Sequence, residues 1–179
     1  MKQRKTTVGL RILIGALLPI ITLFVVASKR AAIGQATDEA AVRETLLRNA
    51  SSFAKNDISE ATKVWANDES LTIFESGHAN YGWTDYRDHH LVPEMAEMKN
   101  TKYEFSDIKI HLAGNTAWAT LKYTIAADVM ENSKTRHVEG GGLGTAILEK
   151  RGDGWRIVHW HSSAPRRAPA AAASPSPKP

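Results

Sequence analysis

The chain has 179 residues, 23 Lys and Arg against 19 Asp and Glu, and no cysteine. That length suits one domain with flanking segments, and the missing thiols exclude a disulfide framework and thiolate chemistry. The formal charge of +4 is unevenly spread: residues 1–36 hold six basic side chains and no acid, while residues 37–164 hold 14 basic against 19 acidic. A folded part that is net acidic offers no basic face for nucleic acid.

Residues 1–36 read as an export segment. Met1 to Arg11 is basic, and Ile12 to Ala27 is an apolar run of 16 residues interrupted by Gly15, Pro19 and Thr22. Gly34 and Ala36 follow as small residues. This is the order of a secretory signal peptide, and the run is shorter than the roughly 20 residues that span a bilayer. Lys29 and Arg30 directly after it keep an uncleaved N-terminal membrane anchor as the alternative. Either reading places the domain outside the cytoplasm, periplasmic or secreted, with membrane contact only through this segment if it is retained.

Thr37 is expected to cap a helix, with Asp38 and Glu39 in its first turn. Val42, Leu46, Ala50 and Phe53 recur at helical spacing up to about Lys55. Asn56-Asp57 breaks that helix, and Asp57 followed by Glu60 predicts the capped start of a second. Ser70 to Glu75 predicts a short strand, Ser76-Gly77 a turn and His78 to Gly82 a return. Trp83 to Met98 is predicted helical, bent or restarted near Pro93, which lacks an amide proton. Three long strands are expected over 102–112, 116–128 and 135–150, joined by turns, and a last one over 154–163. Short connections make an antiparallel meander. Helices first and a curled sheet after them is an α+β plan. Gly140 to Gly142 and Gly144 mark the place where the sheet curls. Residues 165–179, rich in Pro, Ala and Ser, are expected to form a disordered tail.

In the last strand, simple alternation puts Trp155, Ile157, His159 and His161 on one face and Arg156, Val158, Trp160 and Ser162 on the other. Two imidazoles two residues apart can share a metal if a third ligand converges, with His89, His90, His78 or Glu75 to supply it. The sequence spells no metal signature, however, so no metal ligand is assigned. An imidazole lining a pocket and hydrogen-bonded to a neighbour is the plainer reading. No cofactor motif is present and none is expected. For acid–base work the chain offers Asp128, Asp107, Glu75 and Asp85 as carboxylates. Tyr86, Tyr103, Tyr123, His90 and His161 are the donors. Glu75 and Arg87 are close enough in sequence to form an ion pair instead.

The element order and three stretches resemble the SnoaL-like domains of the nuclear transport factor 2-like (ketosteroid isomerase-like) superfamily. The stretches are Phe53-Ala54-Lys55-Asn56-Asp57, Glu75 through Trp83 into Tyr86-Arg87, and Gly144-Thr145 through Trp155 to Ser163. The likeness spans about residues 38–164, the whole expected domain of residues 37–164. It implies a cone-shaped α+β domain, its antiparallel sheet wrapped around the N-terminal helices, with a mouth that admits a small ligand and an outer sheet face that pairs in a homodimer. Tyr86 and His90 share a helix face at i, i+4. With Trp118 and His161 they are the expected ligand-binding residues.

The superfamily hosts several enzyme classes and non-catalytic modules, so its fold names no reaction, and no catalytic residue is assigned. The leading expectation is an exported domain that binds a small, partly apolar molecule. The alternatives are a dimeric assembly module, a His-based divalent-metal-binding periplasmic protein, and an acid–base isomerase or lyase.

Overall fold

The computed structural model describes residues 14–131, 134–152 and 154–165, with side chains from residue 34 onward. The basic start of the leader, the side chains of its apolar run and all of the tail beyond Pro165 lie outside the described residues. Two compact units divide the chain, residues up to Ala40 and residues from Ala41 on.

In the first unit the backbone is helical from Ile14, and helix α1 is continuous over Ile14–Ala54. Thr37 therefore does not cap it. The Thr37 hydroxyl donates instead to the Gly34 carbonyl at 2.7 Å, a bond made inside a helix. Ala31, Ala32 and Ala36 carry high helix propensity through the position where a start was expected.

In the second unit α1 buries Val42, Leu46 and Ala50, and two residues past its end Asn56 adopts φ 59°. The left-handed conformation stops the helix, and Asn is among the few residues that enter it readily. Asp57 then caps α2 (Ile58–Val64), its carboxylate accepting from the Glu60 amide at 2.9 Å. Strands β1 (Thr72–Glu75) and β2 (His78–Tyr81) form a hairpin. Its two turn residues, Ser76 and Gly77, both have positive φ, 51° and 84°, as a type I′ turn requires.

The segment read as one helix with a bend is three pieces: α3 (Trp83–Tyr86), a π-helical turn (Arg87–Leu91) and α4 (Val92–Glu97). Pro93 sits at the start of α4. The wider turn accommodates a residue that cannot donate to the preceding turn and whose ring crowds the carbonyl four residues back.

Strands β3 (Met98–Ala113), β4 (Thr116–Glu131), β5 (Lys134–Arg151) and β6 (Gly154–Ser163) complete a six-stranded curled sheet in the order β2-β1-β6-β5-β4-β3. The sheet is mixed, because β1 lies parallel to β6 while the other neighbours are antiparallel. Its concave face buries Ile73, Ala117, Ala119, Leu121, Leu148 and Trp160 with Leu46 and Val64. Gly144 is part of why this packs. A Cβ there would sit 2.8 Å from the Trp160 indole and 2.9 Å from Leu121, closer than real contacts allow.

The phase of β6 is the main departure from simple alternation. In the β5 pairing Ile147 faces His159 and Leu148 faces Ile157, so Val158 has no partner. This one-residue bulge flips the strand. Before it, Trp155 and Ile157 point inward; after it, Val158 and Trp160 are buried and His161 is exposed. The expected shared face of Trp155, Ile157, His159 and His161 is therefore split in two.

Candidate functional site

The concave side encloses a cavity of about 250 Å³, equivalent to roughly eight water volumes. Its lining comes from α1 (Asn49, Ser52, Phe53), β1 (Glu75), the α3–α4 segment (Tyr86, His90, Glu94) and β3, β4 and β6 (Tyr103, Tyr123, Trp160, Ser162).

Tyr86 and His90 both line it, with ring centroids 5.4 Å apart at 72°. Glu94 continues their stripe four residues further on. His161 and Trp118 are elsewhere. His161 stands on the outer face because of the β6 bulge, opposite Phe74 and Thr145 in register. Trp118 alternates with the buried Ala117 and Ala119, which turns it outward. There it is 44% exposed and stacks on His111 at 4.8 Å and 11°. The expected quartet is thus two residues in the cavity and two on the opposite side of the sheet.

His90 is the hub. Asp85 accepts from Asn80 Nδ2 at 3.0 Å, which turns the Asn80 carbonyl oxygen toward His90 Nδ1 at 2.8 Å. The ring must donate there, leaving Nε2 as the free atom. Nε2 lies 3.5 Å from Glu75 Oε2 and 3.8 Å from Glu94 Oε2. The other Glu75 oxygen accepts from Trp160 Nε1 at 2.8 Å and from Ser162 Oγ at 3.1 Å. Glu75 is therefore clamped by β6, and the bulge that expels His161 is what turns Trp160 and Ser162 onto it.

Desolvation in the cavity pushes the Glu94 carboxyl up to about 7, with the negative charges of Glu75 and Glu97 adding to it. About a third of its side chain stays exposed, so its proton can exchange with solvent. Burial, then the charges of Glu75 and Glu94, hold the Tyr86 phenol well above its ordinary range. Burial and Glu75 do the same for Tyr103. Burial raises Tyr123 as well, partly offset by a hydrogen bond with Ser162. All three phenols are neutral donors at neutral pH. The arrangement can hold a proton at Glu94, pass one through His90 Nε2 and offer hydroxyl donors to an oxygen of a bound molecule.

The other sequence candidates lie outside this cluster. Asp85 orients Asn80 and bonds His89. Asp107 pairs with Lys122 at 2.6 Å, and Asp128 bonds Asn100 and His137. Arg87 pairs with Asp88 at 2.6 Å, so the ion pair expected with Glu75 does not form. Glu94 and Asn80 were missed. The i, i+4, i+8 run Tyr86, His90, Glu94 held the signal for the first. Asn80, in the edge strand β2, gave none.

The profile of the SnoaL-like domain matches residues 42–167. No functionally curated protein matches the chain significantly. Among solved structures, a nuclear transport factor 2-like superfamily protein from Salmonella enterica serovar Typhimurium has a TM-score of 0.68 at 21% identity. That match covers 76% of this chain and 97% of the other. A candidate scytalone dehydratase from Novosphingobium aromaticivorans has a TM-score of 0.65 at 10% identity, covering 74% and 87%. A candidate ketosteroid isomerase from Shewanella frigidimarina has 0.56 at 22%, covering 69% and 94%. At these identities the likeness is one of fold.

Proposed function

The chain belongs to the SnoaL-like domain family, and from that premise we propose that its cavity binds a small, partly apolar molecule and moves a proton on it, as an isomerase or lyase does. The observation that supports this reading is His90: its Nδ1 is fixed by Asn80, and its Nε2 faces two carboxylates inside an aromatic enclosure. His90 is the proton carrier, Glu94 the carboxyl that holds a proton near neutral pH, and Tyr103 and Tyr123 the donors to a developing oxyanion. The test is hydrogen–deuterium exchange at carbon, followed by NMR, on a panel of small enolisable carbonyl compounds. The His90→Gln protein should exchange about a hundredfold more slowly or worse. Equal rates in the two proteins would sink the assignment.

Two further parts of the proposal rest on other regions. The basic start and apolar run of residues 1–36 support export. The exposed Phe74, Trp118, Leu143 and Ile147 on the outer sheet face support a homodimer. Native mass spectrometry of the expressed protein reads both at once: loss of the leader from the mass, and twice the subunit mass. A full-length monomer would contradict them.

A further inference from the structure

Several acidic side chains elsewhere in the domain have Lys or Arg partners. Glu60 pairs with Arg48 and Lys63, Asp68 with Arg151, Asp107 with Lys122 and Asp88 with Arg87. The cavity is different. It holds Glu75 and Glu94, and among the described residues no Lys or Arg lines it; its basic side chains are the imidazoles of His90 and His78. Around that unneutralised pair the wall is aromatic. Phe53 meets Tyr103 at 5.1 Å, Tyr103 meets Tyr123 at 5.9 Å, and Trp65 meets Tyr86 at 5.2 Å. Ring faces attract a cation, and carboxylates in a partly desolvated site attract it more strongly than in water. Among the described residues no group of three ligating side chains is placed to hold a metal ion, so the missing charge suits an organic cation.

We propose that the ligand of this cavity is a small organic amine in its ammonium form, the cation held by Glu75 and Glu94 and the apolar part lying against the aromatic wall. This rests on the reading that the cavity is the ligand site, and it names the class of molecule that site selects. An anionic ligand is repelled by ionised carboxylates, and a neutral one gains nothing from their charge. The cation binds best when Glu94 is ionised. Glu94 is faced by Glu75 from β1, His90 from the π-helical turn, Tyr86 from α3, Tyr103 from β3 and Glu97 on its own helix, and His78 from β2 and Tyr123 from β4 line the same cavity. Amine affinity therefore rises with pH through the neutral range as the Glu94 proton leaves.

The test is calorimetric titration of the full chain with benzylamine, benzyl alcohol and benzoate, which share a ring and differ in charge. At about pH 8 the amine should bind about tenfold more tightly than the alcohol, and benzoate most weakly. The advantage of the amine should shrink toward about pH 5.5. In Glu94→Gln, checked for an unchanged far-ultraviolet circular dichroism spectrum, amine affinity should fall about tenfold and lose most of its pH dependence, and alcohol affinity should change far less than amine affinity. Alcohol or benzoate binding as tightly as the amine would overturn the proposal. So would the absence of amine binding, or an amine affinity untouched by Glu94→Gln. Those results would leave proton transfer at His90 to be judged by the exchange experiment alone.

Discussion

The two faces of strand β6 are built from the same kinds of residue and do different things. Inward, Trp160 and Ser162 bond Glu75 and fix one wall of the cavity. Outward, His159 takes a 2.6 Å hydrogen bond with Thr72, and His161 is exposed beside it. Burial pushes the His159 imidazole down, the neighbouring His161 adds to this, and the Thr72 bond opposes it. A single unpaired residue, Val158, decides which set meets a ligand. Position relative to a bulge, more than residue type, separates the working face from the outer one.

The inner face should be the costly one to alter. Trp160 is 2% exposed, stacks on Phe105 at 5.5 Å and bonds Glu75. Trp160→Ala should cost about 3–5 kcal/mol of stability by urea unfolding. A loss below about 1 kcal/mol would mean that the inner face is not the core. Gly144→Ala should cost less, about 1–3 kcal/mol, since the new methyl must displace the indole or Leu121. An unchanged unfolding midpoint would show that the two strands are not this close.

Glu94 gives a pH signature to the same face. Its folded pKa of about 7 lies above the ordinary carboxyl value of 4.5, so the folded state holds this proton more tightly than the unfolded chain does. The resulting stability is fully present below about pH 4.5 and is lost as pH rises through about 7. Glu94→Gln should remove that slope, and a wild-type slope of the same size in the variant would assign it to other groups. Least affected should be His161→Ala on the outer face, within about 0.5 kcal/mol of wild type and with ligand binding unchanged. Weakened ligand binding in that variant would reverse the assignment of the faces.

Much of this domain was legible in its residues. Periodicity and turn signals placed α2, the hairpin and the four long strands, and found the end of α1 but not its start. The Asp57 cap was readable because capping is local, needing an oxygen and an amide three residues on. Tyr86 and His90 come together in the cavity, as expected of one helix face, because a helical stripe keeps its meaning across one turn. What failed was non-local. The bulge in β6 is set by its partner β5, so strand alternation read alone carried His161 to the wrong face. Trp118 lies on the outer face for a related reason, since which face an aromatic takes is open until the sheet's phase is known. Parallel pairing of β1 with β6 has no short-range signature at all, and Glu75 gains Trp160 and Ser162 only through it.

That pairing also has a consequence in time. Glu75 must wait for residues 85 and 87 positions further along the chain before its carboxylate is clamped. Contacts of such sequence separation form late, because a long loop must close before they stabilise anything. During synthesis the helices and first hairpin emerge well before the strand that completes the cavity wall. A nascent or truncated chain ending before Trp160 would leave Glu75 unclamped, so competence is conferred by the final strand to be made.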